Sequence, residues 1–209
     1  MRSSSSTPTS VSRVMSARPA RGARPAGART REEILEAAVR QFTANGYERT
    51  SVRGIARAAG VDPALVRHYF DSKVELFVEA MRPRVELPEQ AERLASGDPE
   101  LVGERVIRFF LATWAHPDAG PRTITLLRAS LEQPHVAKHV RKLIVEGVIE
   151  KVAAAVGSSD PPASATAAAS QVMGIAMLRH VARWEPLASM PDDEIVARFA
   201  PVVTRHLRS

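Results

Sequence analysis

Cysteine is absent from the 209 residues, which excludes disulfides, thiolate metal sites and cysteine nucleophiles and suits a reducing cytoplasm. No apolar run approaches the roughly 20 residues needed to span a bilayer, and no basic start followed by an apolar core marks a secretory signal. A soluble cytoplasmic protein with no membrane partner is expected. Catalytic signatures are missing as well: there is no phosphate-binding G-x-x-x-x-G-K loop, no G-x-S-x-G elbow and no H-E-x-x-H pair. Asp192-Asp193-Glu194 reads as the acidic first turn of a helix after Pro191 rather than as a catalytic cluster. No segment has a convincing strand pattern, so the fold class is all-α. With 44% hydrophobic residues, the chain can build one or two compact domains.

Acid is also missing from residues 1–31, which carry seven arginines, so the formal charge of +6 leaves the remaining 178 residues at −1. Residues 1–28 are Ser, Arg, Pro, Ala and Gly with almost nothing large and apolar, and are expected to be a disordered basic tail. Its ARPARGARPAGAR stretch suits a solvated leader or an arm along phosphates, and its composition also resembles a transit peptide. A second basic stretch is local: residues 49–73 hold Arg49, Arg53, Arg57, Arg67 and Lys73 against Asp62 and Asp71. A polyanion would therefore approach one end of the molecule.

Helical punctuation begins at Thr30, where Thr30 and Glu33 spell a capping box ahead of Ile34, Ala38 and Phe42 at four-residue spacing. Asn45-Gly46 predicts its end. Thr50 or Ser51 is expected to cap a second short helix that stops at Gly60. Asp62 then caps a third, with Pro63 in the first turn, where its missing N–H costs nothing. Ser72 and Glu75 repeat the capping box for a fourth helix. Lys73 thus falls in a first turn, where a cation opposes the helix dipole unless an anion lies nearby. On the third helix Val66 and Phe70 share an inward side, Ala64 and His68 point outward, and Leu65, Arg67 and Tyr69 flank them. Two helices joined by so short a glycine-bearing turn form a helix-turn-helix, whose second member enters a major groove.

Positions 30–77, TREEILEAAVRQFTANGYERTSVRGIARAAGVDPALVRHYFDSKVELF, resemble the DNA-binding domain of the tetracycline-repressor (TetR) family of transcriptional regulators. The resemblance implies a homodimer on a roughly palindromic double-stranded operator, with residues 62–69 of each subunit in the major groove and a C-terminal domain that senses a small molecule. It also implies that Thr50, Ser51 and Lys73 hold phosphates and that Pro63, Leu65, Arg67, His68 and Tyr69 meet the groove. Arg53, in the basic segment, and the outward Ala64 complete the expected DNA-binding set. Leu65 replaces a frequent threonine and Arg67 a frequent tyrosine, so the family's base preference does not carry over. Arg67 has the chemistry to bond guanine O6 and N7, or a phosphate.

Domains are expected at 29–75 for DNA binding and 76–209 for ligand binding and dimerisation. Beyond residue 80 the proline and small-residue breaks leave helical stretches near 101–115, 122–132, 135–156, 163–184 and 192–207. The last two resemble the family's dimerisation pair, with Met173, Ala176, Met177, His180, Trp184, Phe199 and Val203 as interface candidates. Phe77, Met81, Phe109, Phe110, Trp114 and Leu127 are the candidates for a pocket around a small-molecule effector. His135 and His139 stand four apart, as helical metal ligands do, but flanking Lys138 and Arg141 argue against that role, and no cofactor or metal is called for. The expected function is a ligand-responsive regulator, most often a repressor in such families. The rivals are an all-α enzyme and a helical sensor acting through protein partners.

Overall fold

The computed structural model describes residues 26–82 and 87–209, and these form helices with no strand. The elements are α1 (Ala26–Arg49), α2 (Val52–Ala59), α3 (Pro63–Tyr69), α4 (Lys73–Met81), α5 (Leu87–Ala95), α6 (Val102–Ala115) and α7 (Ala119–Glu132). There follow α8 (Pro134–Val140), α9 (Glu150–Ala155), α10 (Pro161–Ala176) and α11 (Asp192–Leu207). A π-helical stretch, Arg141–Ile149, joins α8 to α9, and a second, Met177–Val181, extends α10. Among the described residues no helix is long and apolar enough to cross a membrane.

Two local expectations fail for identifiable reasons. The first helix begins at Ala26, not after Thr30, so Thr30 lies inside it and Glu33 accepts a hydrogen bond from Arg29 at 3.2 Å. A capping box is one way to satisfy free amides, and here another turn of helix satisfies them. Of the seven arginines in residues 1–31, the two that follow the expected tail belong to α1: Arg29 pairs with Glu33, and Arg31 pairs with Glu79 of α4 while lying over the Phe70 ring. The last three residues of the expected tail, 26–28, are helical in α1, and residues 1–25 lie outside the described residues. No helix is expected between 87 and 95, because Pro88 reads as a break. In α5 that proline occupies the first turn, where it is harmless, and Arg105 secures the other end by donating to the Leu94 carbonyl at 2.8 Å.

Apolar side chains gather into two cores. The first joins Ile34, Phe42, Ile55, Val66, Phe70 and Leu76 of α1–α4, and Leu126, Ala129, Val136 and Val140 of α7 and α8 belong to it too. Phe77 and Met81, expected to line a pocket, are fully buried in this core. Phe77 meets Phe42 edge-on with centroids 4.8 Å apart. The second core is built from α5, α6, α9, α10 and α11 and includes Val106, Ile107, Val152, Ala168 and Ile195. Val203, expected at a dimer interface, is fully buried inside it. Here α11 packs along both α6 and α10. Its approach to α6 is closest at Gly103, whose N–H donates to Thr204 Oγ1 at 3.0 Å.

Candidate DNA-binding face and ligand cavity

The helix-turn-helix is held by its own punctuation. Ser51, not Thr50, caps α2 by accepting from the Gly54 N–H at 3.0 Å. Gly60 closes α2 in the left-handed conformation at φ 70°, where a side chain would be strained. Asp62 Oδ1 accepts from the Ala64 N–H at 2.6 Å to start α3, with Pro63 behind it. Ser72 accepts from the Glu75 N–H at 3.1 Å, and the Glu75 carboxylate reaches back to the Asp71 N–H at 2.8 Å. A seven-residue helix has little stability of its own. Val66 and Phe70, 1% and 2% exposed, anchor it to the first core, so its outer face is presented rigidly.

That face carries Ala64, Arg67 and His68, all exposed, with Pro63, Leu65 and Tyr69 half-buried at its margins. His68 and Tyr69 meet edge-on at 5.1 Å, and the Tyr69 hydroxyl closes against Gly27 at the start of α1. Ser51 and Arg53 are exposed beside it. Arg57, one turn along α2 from Arg53, is exposed on the same side. Its spacing of four from Arg53 was the signal in the sequence, but it was not among the expected site residues. Arg53, Arg57 and Arg67 form no ion pair with the described residues, whereas Arg29 and Arg31 do.

Thr50 and Lys73 are placed differently from the other candidates. Thr50 is 3% exposed, and its hydroxyl donates to the Gln41 and Gly46 carbonyls at 3.1 and 2.8 Å. Its side chain ties the end of α1 to α2 and is turned away from solvent. The Lys73 ammonium sits 4.3 Å from the Tyr47 ring centroid and donates to the Glu48 carbonyl at 3.2 Å. A ring face and a carbonyl thus supply much of the negative environment that its place in a helix first turn demands. Burial lowers the Lys73 pKa, and the Glu48 charge opposes that shift.

Between α6, α7, α8, its π-helical continuation and α10 lies a cavity of about 390 Å³, near the small end of the 300–1,000 Å³ usual for ligand pockets. Of the pocket candidates Phe110, Trp114 and Leu127 line it, whereas Phe109 packs beside the second core and is not part of the wall. Met173 and Ala176, expected at a dimer interface, also line this cavity. Of the other interface candidates, Met177 and Phe199 are half-buried and Trp184 is 63% exposed. Leu126 and Val140 are part of both the cavity wall and the first core. A second link is polar: His135 Nε2, at the start of α8, lies 2.9 Å from the Tyr47 hydroxyl. His139 Nδ1 donates to the His135 carbonyl at 2.8 Å, so each imidazole of the i, i+4 pair has a protein partner. Among the described residues no group of three or more potential metal ligands comes together.

His180 packs edge-on against Trp114 at 5.5 Å, and its Nε2 is buried without a hydrogen-bond partner. Burial holds its pKa below the ordinary 6.5, aided by Arg179 and Arg183 and opposed by Asp192. The unfolded chain therefore takes up this proton first as the pH falls. The stability is present above about pH 6.5 and is lost on acidification through that value. Thermal melts of the parent are expected to show a fall in melting temperature between about pH 7.5 and 5.5, and His180→Phe, which keeps the ring contact, is expected to flatten it.

Comparison with known proteins agrees with this arrangement. Residues 34–80 match the pattern of "Bacterial regulatory proteins, tetR family", and residues 100–207 match "Tetracyclin repressor-like, C-terminal domain". The chain is 31% identical over 117 residues to the HTH-type transcriptional repressor NicS of Pseudomonas putida, covering 54% of this chain and 53% of that protein. It is 29% identical over 118 residues to the HTH-type transcriptional regulator BetI of Rhizobium meliloti, covering 55% and 57%. The chain thus spans just over half the length of these curated relatives. A crystal structure of a TetR-family regulator from Streptomyces coelicolor superposes with a TM-score of 0.62 and 34% identity, covering 90% of this chain and 99% of that one. With α2 and α3 capped as a helix-turn-helix, a cavity among α6, α7, α8 and α10, and family patterns matched over residues 34–80 and 100–207, the chain belongs to the TetR family of helix-turn-helix transcriptional regulators.

Proposed function

We propose that this protein is a repressor that binds a palindromic operator as a homodimer and leaves it when a small molecule fills the cavity. The observation that carries this reading is the outer face of α2 and α3, where Arg53, Arg57 and Arg67 are exposed and unengaged on helices locked by caps and core anchors. An unpaired basic face on a rigid mount suits a polyanion of fixed geometry. Dimerisation through α10 and α11 is supported by partly exposed Met177 and Phe199 and by Gly174, whose missing side chain leaves open space. Action is by binding rather than catalysis, and its setting is the cytoplasm.

Release follows from the shared wall. Two reading helices on one duplex must sit about 34–36 Å apart. Leu126 and Val140 touch both the cavity and the core on which α3 is mounted, and His135 links α8 to Tyr47 beneath Lys73. A ligand that moves α8 thereby changes the seat of the reading unit. Taking the protein from 99% binding-competent to 99% incompetent requires a preference of about 5.5 kcal/mol for the released state.

Selection of genomic fragments with the purified protein, followed by footprinting, tests the reading. The expected footprint is two-fold symmetric, with two half-sites about one helical turn apart, and a dimer in solution. A strictly monomeric protein, or protection without sequence preference at moderate salt, overturns it.

A further inference from the structure

The cavity has a chemical bias that names the class of ligand, an inference that rests on the effector reading above. Nearly all of its described wall is apolar, and among the described residues no aspartate or glutamate lines it. Four hydroxyls do, but each donates to a carbonyl of its own helix. Thr123 and Ser130 donate to Ala119 and Leu127 at 2.8 and 2.7 Å, and Thr166 and Ser170 donate to Pro162 and Ala167 at 2.8 and 2.7 Å. Towards the cavity they offer mainly lone pairs. Among the described residues the one charged lining residue is Arg141.

Arg141 is the first residue of the π-helical stretch, and its partner is Glu146, five residues on. That spacing is the hydrogen-bond step of a π-helix and would be misaligned on an α-helix. The Arg141 side chain is 63% exposed, which places its guanidinium at the mouth, where the 60% exposed Leu131 forms an apolar lip. Lys138 and Lys142, exposed on the same segment, add to the positive field there. Phe110 and Trp114 lie on the wall.

The geometry points to an anionic amphiphile: an apolar body within the cavity and one carboxylate at the mouth, taken by Arg141 in place of Glu146. A lipophilic cation would find aromatic faces but no carboxylate on the described wall, and at the opening only the Glu146 carboxylate, which is already paired with Arg141. A neutral molecule would gain the apolar wall and leave the guanidinium unused. The planar fork of arginine is well matched to a carboxylate.

Decanoate, decanol and decyltrimethylammonium share one tail and differ in head charge. Of the two tryptophans, Trp114 lines the cavity and Trp184 does not, so Trp184→Phe leaves a fluorophore within it. Calorimetry on the unaltered protein gives an independent reading. Decanoate is expected to bind more tightly than decanol by about tenfold or more. Arg141→Gln is expected to remove that preference while leaving decanol binding unchanged, and Arg141→Lys to retain part of it. Glu146→Gln, which removes the competing carboxylate, is expected to tighten decanoate by a few-fold. Equal binding of decanoate and decanol, or preference for decyltrimethylammonium, overturns the ligand class and leaves the cavity as an effector site. If none of the three perturbs Trp114 or gives a heat of binding, the effector reading of the cavity falls with it.

Discussion

Arg67→Ala is expected to lower affinity for the selected operator by about 1–3 kcal/mol in each half-site. In a two-fold symmetric complex the loss counts twice, about 2–6 kcal/mol for the dimer, or roughly 30-fold to 25,000-fold. The physical reason is that Arg67 is exposed, unpaired and carried on a helix whose position is fixed by Asp62, Val66 and Phe70. A flexible mount would let a neighbouring side chain compensate. Titration of the operator and of a scrambled duplex, with each variant at several salt concentrations, separates the possible roles. Arg67→Ala should narrow the gap between the two duplexes. Lys73→Ala should weaken both alike and lower the salt slope by about one unit per subunit if the ammonium reaches a phosphate. Equal loss on both duplexes for Arg67→Ala would assign that residue to the backbone instead of to a base.

Gly103→Ala is expected to destabilise the larger domain by about 3 kcal/mol or more. A Cβ at this position would lie 2.2 Å from the Ala200 carbonyl oxygen and 2.6 Å from the Thr204 nitrogen. Both obstacles are backbone atoms of α11, so no side chain can swing aside and the two helices must separate. For a protein of this size, melting should fall by about 6–12 °C. Thr204→Val isolates the polar part of the same contact. Thr204 Oγ1 accepts from the Gly103 N–H and donates to the Glu100 carbonyl at 3.2 Å. Valine keeps the shape and leaves both groups without that partner, at a cost of about 1–3 kcal/mol. Unchanged melting of Gly103→Ala would mean that α6 and α11 are not in this register.

Features governed by near neighbours were the legible ones. The caps at Asp62, Ser72 and Gly60 depend on residues one to four positions away, and they locate α2, α3 and α4 closely. The outward set on α3 followed from helical period alone. What the sequence left open was which of two cores a stripe faces. Phe77 and Met81 have the same spacing whether α4 turns towards a cavity or towards α1, and only the assembled bundle decides. Met173, Ala176 and Val203 show the same ambiguity on α10 and α11, where small and apolar residues suit a partner, a ligand and an interior equally well. Thr50 illustrates the converse case. Its neighbour Ser51 has the same cap chemistry, and the choice between them rests on the Gln41 carbonyl nine residues back.

The hydrophobic interior beneath the helix-turn-helix does not end with α4; α7 and α8 complete it through Leu126, Ala129, Val136 and Val140. A fragment cut after residue 82 would lose those four side chains and bare the apolar surface they cover. Exchanging operator specificity between relatives by swapping N-terminal segments would meet the same difficulty. A workable chimera has to carry the matching stretches of α7 and α8 with it, and so inherits part of the donor's cavity wall along with its helix-turn-helix.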